Sequence, residues 1–188
     1  MSDSGAQRVG ESENLCEDLS WYSIEPDCSE AEFLAVGKVY ARAVIEEFDL
    51  SVNISAIDWE ISKRAMRRAG LLKYEDETPK QIVLSWKLFS NKGWDAMAAT
   101  IRHELIHAHL ITTNQDGTHG EDFKTLAARL KTHVHCEKFV EPEWILRCMN
   151  CENEFPRYRR SKVVKQPEKY SCGDCGGSLI STKNTSSA

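Results

Sequence analysis

Residues 102–122 read RHELIHAHLITTNQDGTHGED and hold four histidines: His103, His107, His109 and His119. His103 and His107 are four positions apart, which on a helix puts both rings on one face with roughly 5–6 Å between Cβ atoms. That separation suits two imidazole nitrogens each about 2.0–2.1 Å from a single zinc ion. Glu104 lies one residue round the helix, where its carboxylate reaches a water on such an ion without taking a coordination position. The metal lowers the pKa of that water towards neutrality. A glutamate so placed takes the proton as the water attacks a carbonyl, then hands it to the departing amine. The bland alternative is a surface helix carrying these three residues by chance. The motif's apolar neighbours and the further histidine downstream favour the metal.

A hydrolytic zinc has three protein ligands and one position open to water. His109, two residues beyond His107, points away from that face and is expected to be a solvated helix residue. The longer pattern with Gly at 110 and His at 113 is not met, because the chain has Leu110 and Thr113. His119, which follows a Gly-containing turn and opens the next helix, is the favoured third ligand; Asp116, Glu121 and Asp122 compete with it. His133 and His135 are expected near the end of that next helix, where a cationic ring complements the helix dipole. The adjacent Cys136 keeps a second metal site open there.

Seven cysteines in a chain expected to be cytoplasmic point to metal rather than disulfides. Cys148, Cys151, Cys172 and Cys175 form two C-x2-C pairs, a spacing that brings four thiolates to a closed, tetrahedral structural zinc. Gly173, Gly176 and Gly177 suit the second turn, while the first lacks glycine. A redox role for one pair is the competing reading, and paired knuckles disfavour it. Cys16, Cys28 and Cys136 read as ordinary thiols. Between the pairs lies PRYRRSKVVKQPEK, in which Arg157, Arg159, Arg160, Lys162 and Lys165 surround Tyr158. Cations neutralise phosphates and aromatic faces stack on unpaired bases, so nucleic-acid contact is preferred over a merely solvated loop.

The elements that must position these groups follow from periodicity. SEAEFLAVGKVYARAVIEEFDL opens with a capping box, Ser29 and Glu32, and repeats Phe33, Val36, Tyr40, Val44 and Phe48 at helical spacing. Ile57, Trp59 and Ile61 alternate as in a strand, and AGLLKY and QIVLSW read as two more, separated by a turn at EDETP. Together they predict a small antiparallel sheet of about three strands. A second helix runs from about Gly93 or Trp94 to Leu110, and EDFKTLAARLKTH is a third. Short strands and turns are expected around the cysteines.

Composition is that of a globular chain of 188 residues, 41% hydrophobic and 28% charged. Of the net charge of −5, residues 1–28 alone carry −6, so the acidity belongs to an N-terminal segment expected to be disordered. Trp21, Tyr22 and Ile24 are the residues there able to dock onto the fold. No stretch approaches the eighteen or so apolar residues that would span a bilayer. A cytoplasmic protein is expected, nucleoid-associated if prokaryotic.

The ordered set QIVLSWKLF, HELIHAHL, GTHGEDF and a four-cysteine ribbon resembles the SprT-like zinc metallopeptidases, the group that includes the Spartan DNA–protein-crosslink protease. The resemblance covers about residues 30–180. It implies an α+β chain: a zincin-like metallopeptidase domain over 29–142, with helices packed on a small antiparallel sheet, then a zinc ribbon over 143–182 and a disordered tail over 183–188. It also implies one catalytic zinc on His103, His107 and His119 with Glu104 as base, and one structural zinc on the four cysteines. The implied activity is an endopeptidase acting on DNA-bound or DNA-crosslinked proteins, with single-stranded DNA as a candidate partner; a monomer without a membrane partner is expected. The rival reading is a DNA-binding or transcription-associated zinc protein with an inactive H-E-x-x-H site; a zinc hydrolase of another substrate class is a third.

Overall fold

The computed structural model describes residues 19, 21–135 and 138–185. The chain divides into two compact units between residues 136 and 137. Residues 1–18, most of the acidic segment, lie outside the described residues, as do Cys16, Cys136 and the last three residues of the tail.

In the first unit, α1 (Glu30–Phe48) starts at the capping box: the Glu32 N–H donates to Ser29 Oγ at 3.2 Å and the Ser29 N–H to Glu32 Oε2 at 2.9 Å. Phe33, Tyr40, Val44 and Phe48 are buried along one face, as the periodicity requires. Just upstream, Tyr22 meets Tyr40 edge-on at 6.0 Å, Ile24 is half-buried and Trp21 stays 85% exposed. Only part of that apolar trio therefore docks.

The sheet has three strands, β1 (Asp58–Ser62), β2 (Gly70–Glu75) and β3 (Thr78–Ser85), in the order β1-β3-β2. It is mixed rather than antiparallel: β1 runs parallel to β3 and β2 antiparallel. The cause is local. Asp76 and Glu77 both adopt left-handed φ, 47° and 56°, which makes a two-residue hairpin turn and forces β2 and β3 to be antiparallel neighbours. The longer loop 63–69 then carries the chain from β1 on one edge of β3 to β2 on the other. Pro79 lies within β3 and not in the turn, opposite the register shift at Lys73/Tyr74 and beyond the stretch that β1 pairs.

Ser85 ends β3 and caps α2 (Trp86–Thr112), which is broken once, at Gly93 with φ 75°. The second segment is the helix expected from about residue 93. The first begins at Trp86, a residue the alternation assigns to the strand, because its apolar side chains continue those of β3. Here Phe89 packs 4.6 Å from Phe33 and Trp86 5.6 Å from it. Met97, Ile101 and Leu105 are fully buried on the same helix. The third helix, α3 (Glu121–Arg129), buries Phe123 and Ala127 and ends four residues before His133, where Lys131 turns left-handed at φ 49°.

The second unit is an antiparallel sheet of β4 (Trp144–Cys148), β5 (Glu154–Arg157) and β6 (Leu179–Lys183), in the order β5-β4-β6. A single-turn helix, α4 (Lys162–Lys165), and a short 3-10 turn lie between β5 and β6, in a region expected to hold only strands and turns. Lys183, assigned to the tail by sequence, completes β6, and Asn184 donates from its side chain to the Pro142 carbonyl at 2.9 Å. Cys148, Cys172 and Leu179 form the small core with Phe155 and Val163 against it. The overall class is α+β.

Candidate metal centres

On α2, His103 and His107 stand one turn apart, and His119 reaches them from the loop before α3. Their Nε2 atoms are 3.1 Å (103–107), 3.2 Å (103–119) and 3.1 Å (107–119) apart. The opposite ring nitrogens fix the tautomers. His103 Nδ1 lies 2.8 Å from the His133 carbonyl and His107 Nδ1 2.8 Å from the Gly117 carbonyl. A carbonyl only accepts, so each Nδ1 carries the proton and each Nε2 offers a lone pair. Lone pairs this close repel unless a cation sits among them. Bonds of about 2.0–2.1 Å to one tetrahedral ion place ligand nitrogens about 3.3 Å apart, so the spacing fits.

The three rings rest on Phe123, whose ring centre lies 4.8, 4.7 and 4.5 Å from those of His103, His107 and His119. Burial disfavours the charged imidazoliums and lowers all three pKa values, that of His103 to about 4. Neutral rings are the form a metal requires.

Two of the three competing carboxylates have other work. Asp116 accepts from the Thr118 N–H at 2.9 Å and its hydroxyl at 2.7 Å, which shapes the loop. Glu121 holds Lys124 at 2.6 Å, and neither Glu121 nor Asp122 joins the histidine cluster. His109 departs from its expected solvated state: it is half-buried, and its Nδ1 accepts the Ser51 N–H at 2.9 Å. His133 and His135 are exposed and lie past α3, so they do not cap its dipole. Instead His133 serves through its carbonyl, and the His135 ring stands edge-on to His119 at 5.5 Å. Arg102, also in contact with Tyr40, anchors this returning segment by donating to the Lys131 carbonyl at 3.0 Å.

Glu104 is 5% exposed, and burial pushes its carboxyl up to about 7 against the pull of the Leu72 backbone hydrogen bond and the Arg68 charge. Its neighbour is Gly70, where a β-carbon would lie 2.5 Å from Glu104 Oε1. Neither Gly70 nor Arg68 was identified by sequence reasoning; the only hint is a glycine at the head of the AGLLKY strand.

In the second unit, the four cysteine sulfurs and no other described His, Cys, Asp or Glu atoms form the other potential metal cluster. Cys148 and Cys175 Sγ are 3.5 Å apart, and Cys151 and Cys172 Sγ 3.7 Å. Zinc–sulfur bonds of about 2.3 Å give about 3.8 Å in a tetrahedron. Backbone N–H groups of Asn150 and Cys151 point at Cys148 Sγ at 3.4 and 3.5 Å, donors that favour thiolate. Gly177 N–H and the Asn150 amide draw the Cys175 thiol down to about 6. A β-carbon on Gly177 would meet Asn150 Cβ at 2.6 Å and Cys148 Sγ at 3.0 Å, so that turn requires glycine. The first knuckle does without one because Glu152 takes the left-handed conformation at φ 59°.

In the basic segment of this unit, Arg159, Arg160, Lys162 and Lys165 are exposed, and Arg157 and the aromatic Tyr158 half-buried. The Arg160 guanidinium lies 5.6 Å from the centre of the Trp144 ring. Among the described residues, no helix is long and apolar enough to cross a membrane.

The SprT-like family model matches residues 38–146, a span that contains the histidine cluster and stops short of the cysteines. "Protein SprT-like" from Bacillus thuringiensis subsp. konkukian is 28% identical over 111 residues, which is 56% of this chain and 70% of that protein. The proteins of the same name from Bacillus cereus (strain AH187) and Bacillus anthracis (strain A0248) are 27% and 28% identical over the same shares. With more than half its length matched and the histidines inside the match, the chain belongs to the SprT-like family.

Proposed function

We propose that the chain is a zinc-dependent endopeptidase with a zincin-like catalytic domain, acting on proteins bound or crosslinked to DNA. The observation that carries this reading is the convergence of three Nε2 lone pairs, 3.1–3.2 Å apart, on the helix whose Glu104, next in sequence to His103, has a buried carboxyl. A zinc ion held there supplies Lewis acidity, lowering the pKa of water towards neutrality and polarising the scissile carbonyl. His103, His107 and His119 hold the ion through Nε2, and the His133 and Gly117 carbonyls keep the first two rings oriented. Glu104 acts as the base: it accepts a proton from the attacking water and returns it to the leaving amine.

Cys148, Cys151, Cys172 and Cys175 hold a second, structural zinc in place of a large core. Arg157, Arg159, Arg160, Lys162 and Lys165 neutralise phosphates of single-stranded DNA, and Tyr158 offers a stacking face. The test compares wild type with Glu104→Gln on a protein crosslinked to a single-stranded oligonucleotide. Wild type cuts the adduct; the variant keeps its zinc and its oligonucleotide binding but leaves the adduct whole. If wild type cuts neither adduct nor itself, with or without DNA, a non-proteolytic DNA-binding role replaces this one.

A further inference from the structure

Beside the histidine cluster stands an imidazole that is not part of it. The His135 ring meets the His119 ring edge-on, with centres 5.5 Å apart at 76°, yet His135 is not among the residues whose ligand atoms converge. Phe123 packs against all three ligand rings and is buried, whereas His135 is exposed. Among the described residues, nothing hydrogen-bonds to the His135 ring.

The backbone leading to this ring is fixed to α2 at three successive residues. Arg102 Nη2 donates to the Lys131 carbonyl at 3.0 Å, Thr132 Oγ1 donates to the Ala99 carbonyl at 2.5 Å, and His103 Nδ1–H donates to the His133 carbonyl at 2.8 Å. The left-handed turn at Lys131 brings the chain back from the end of α3 to make these bonds. The helix that bears His103, Glu104 and His107 therefore also positions the segment that ends in His135. A donor held in this way needs little reorganisation as charge develops on a substrate.

We propose that His135 is a further catalytic residue: its ring N–H donates a hydrogen bond to the oxygen of the scissile carbonyl. This rests on the hydrolytic function proposed above and gives the carbonyl oxygen a donor, as Glu104 gives the water a base. The water oxygen bonds to the carbonyl carbon, its proton passes to Glu104, and the carbon–oxygen π pair moves onto the carbonyl oxygen. His135 stabilises that oxyanion and keeps its own proton. The carbonyl then re-forms as the carbon–nitrogen bond breaks, and the departing amine takes the proton from Glu104. Imidazole carries an N–H in either neutral tautomer and in the cation, so this role needs no change of protonation. Its place against His119 puts the ring at the rim of the cluster, where a hydrogen bond of about 2.7–3.1 Å reaches a substrate oxygen drawn to the histidines.

The test reads binding as well as turnover, on the full chain loaded with zinc. A phosphinic peptide, whose phosphinate oxygens imitate the oxyanion, is titrated by calorimetry into wild type, His135→Ala, His135→Asn and His135→Gln. The amides of the last two stand in for Nδ1–H and Nε2–H. Zinc content by mass spectrometry is expected to be the same throughout. His135→Ala is expected to bind the phosphinic peptide about 100-fold more weakly and to lose a similar factor in kcat, with KM for a peptide substrate little changed. One of the two amide variants recovers most of the loss. Equal affinities in wild type and His135→Ala overturn this inference alone. So does an equal loss in both amide variants, which would make packing the cause, or loss of zinc from His135→Ala, which would make the residue a metal ligand. A wild type that holds zinc but neither binds the phosphinic peptide nor cuts a peptide overturns the hydrolytic function itself, and this inference with it.

Discussion

Gly70 and Glu104 touch so closely that no side chain fits between them: a β-carbon on Gly70 would sit 2.5 Å from Glu104 Oε1, 2.9 Å from its Cγ and 2.8 Å from Thr100 Cγ2. The bare backbone at the start of β2 lets the strand close over α2, burying the carboxyl that the hydrolytic reading needs. The same closure brings the Leu72 backbone into hydrogen-bonding contact with Glu104. One missing methyl thus couples the sheet to the helix that bears the histidines.

Gly70→Ala is therefore expected to act on both stability and chemistry. Either the strand or the Glu104 side chain must move, at a cost of about 1–3 kcal/mol. A misplaced base lowers cleavage by about 100-fold. Urea unfolding and turnover of a peptide substrate, measured on the same preparation, check the two effects; wild-type values in both would contradict the contact.

Burial of Glu104 sets a pH dependence of known sign. Its folded pKa of about 7 lies above the ordinary 4.5, so the folded protein binds more protons between these values, and stability falls as pH rises through that window. Glu104→Gln removes the ionisation. In metal-free protein the variant is expected to gain on wild type from pH 4.5 to 7, by an amount on the order of 3 kcal/mol. Unfolding curves at pH 5 and pH 8 read this directly, and equal gaps at the two would contradict it.

Ser85 accepts the Leu88 N–H at 3.2 Å and donates to the Ala65 carbonyl at 3.0 Å, joining the start of α2 to the loop 63–69. Ser85→Ala strands both partners and is expected to cost about 1–2 kcal/mol in chemical denaturation. Ser85→Thr keeps the hydroxyl and loses less. Equal losses would show that the hydroxyl is not what matters.

Legibility in the sequence tracked how local each feature is. Two histidines four apart share a helix face whatever the rest of the chain does, and the C-x2-C pairs announce themselves by spacing. The capping box of α1 is a four-residue matter and appears as read. Strand direction is not local: alternation in β1 shows that one face is buried and nothing about which way its neighbour runs, so the parallel β1–β3 pair was missed. Apart from Ser85 and Lys87, the run from Ile82 to Phe89 is apolar across the strand–helix junction, which conceals the first segment of α2. The carbonyls of His133 and Gly117 act through backbone, which every residue has, so no sequence signal marks them. Gly70 matters only because Glu104, thirty-four positions away, meets it in space.

The most direct measurement is metal content by mass spectrometry on wild type, His119→Ala and Cys172→Ser. Two zinc ions per chain in wild type are expected, with one remaining in each variant and peptide hydrolysis lost in His119→Ala. Wild type holding a single zinc that survives His119→Ala would mean that the three imidazoles grip no metal, and the hydrolytic centre would fall with it.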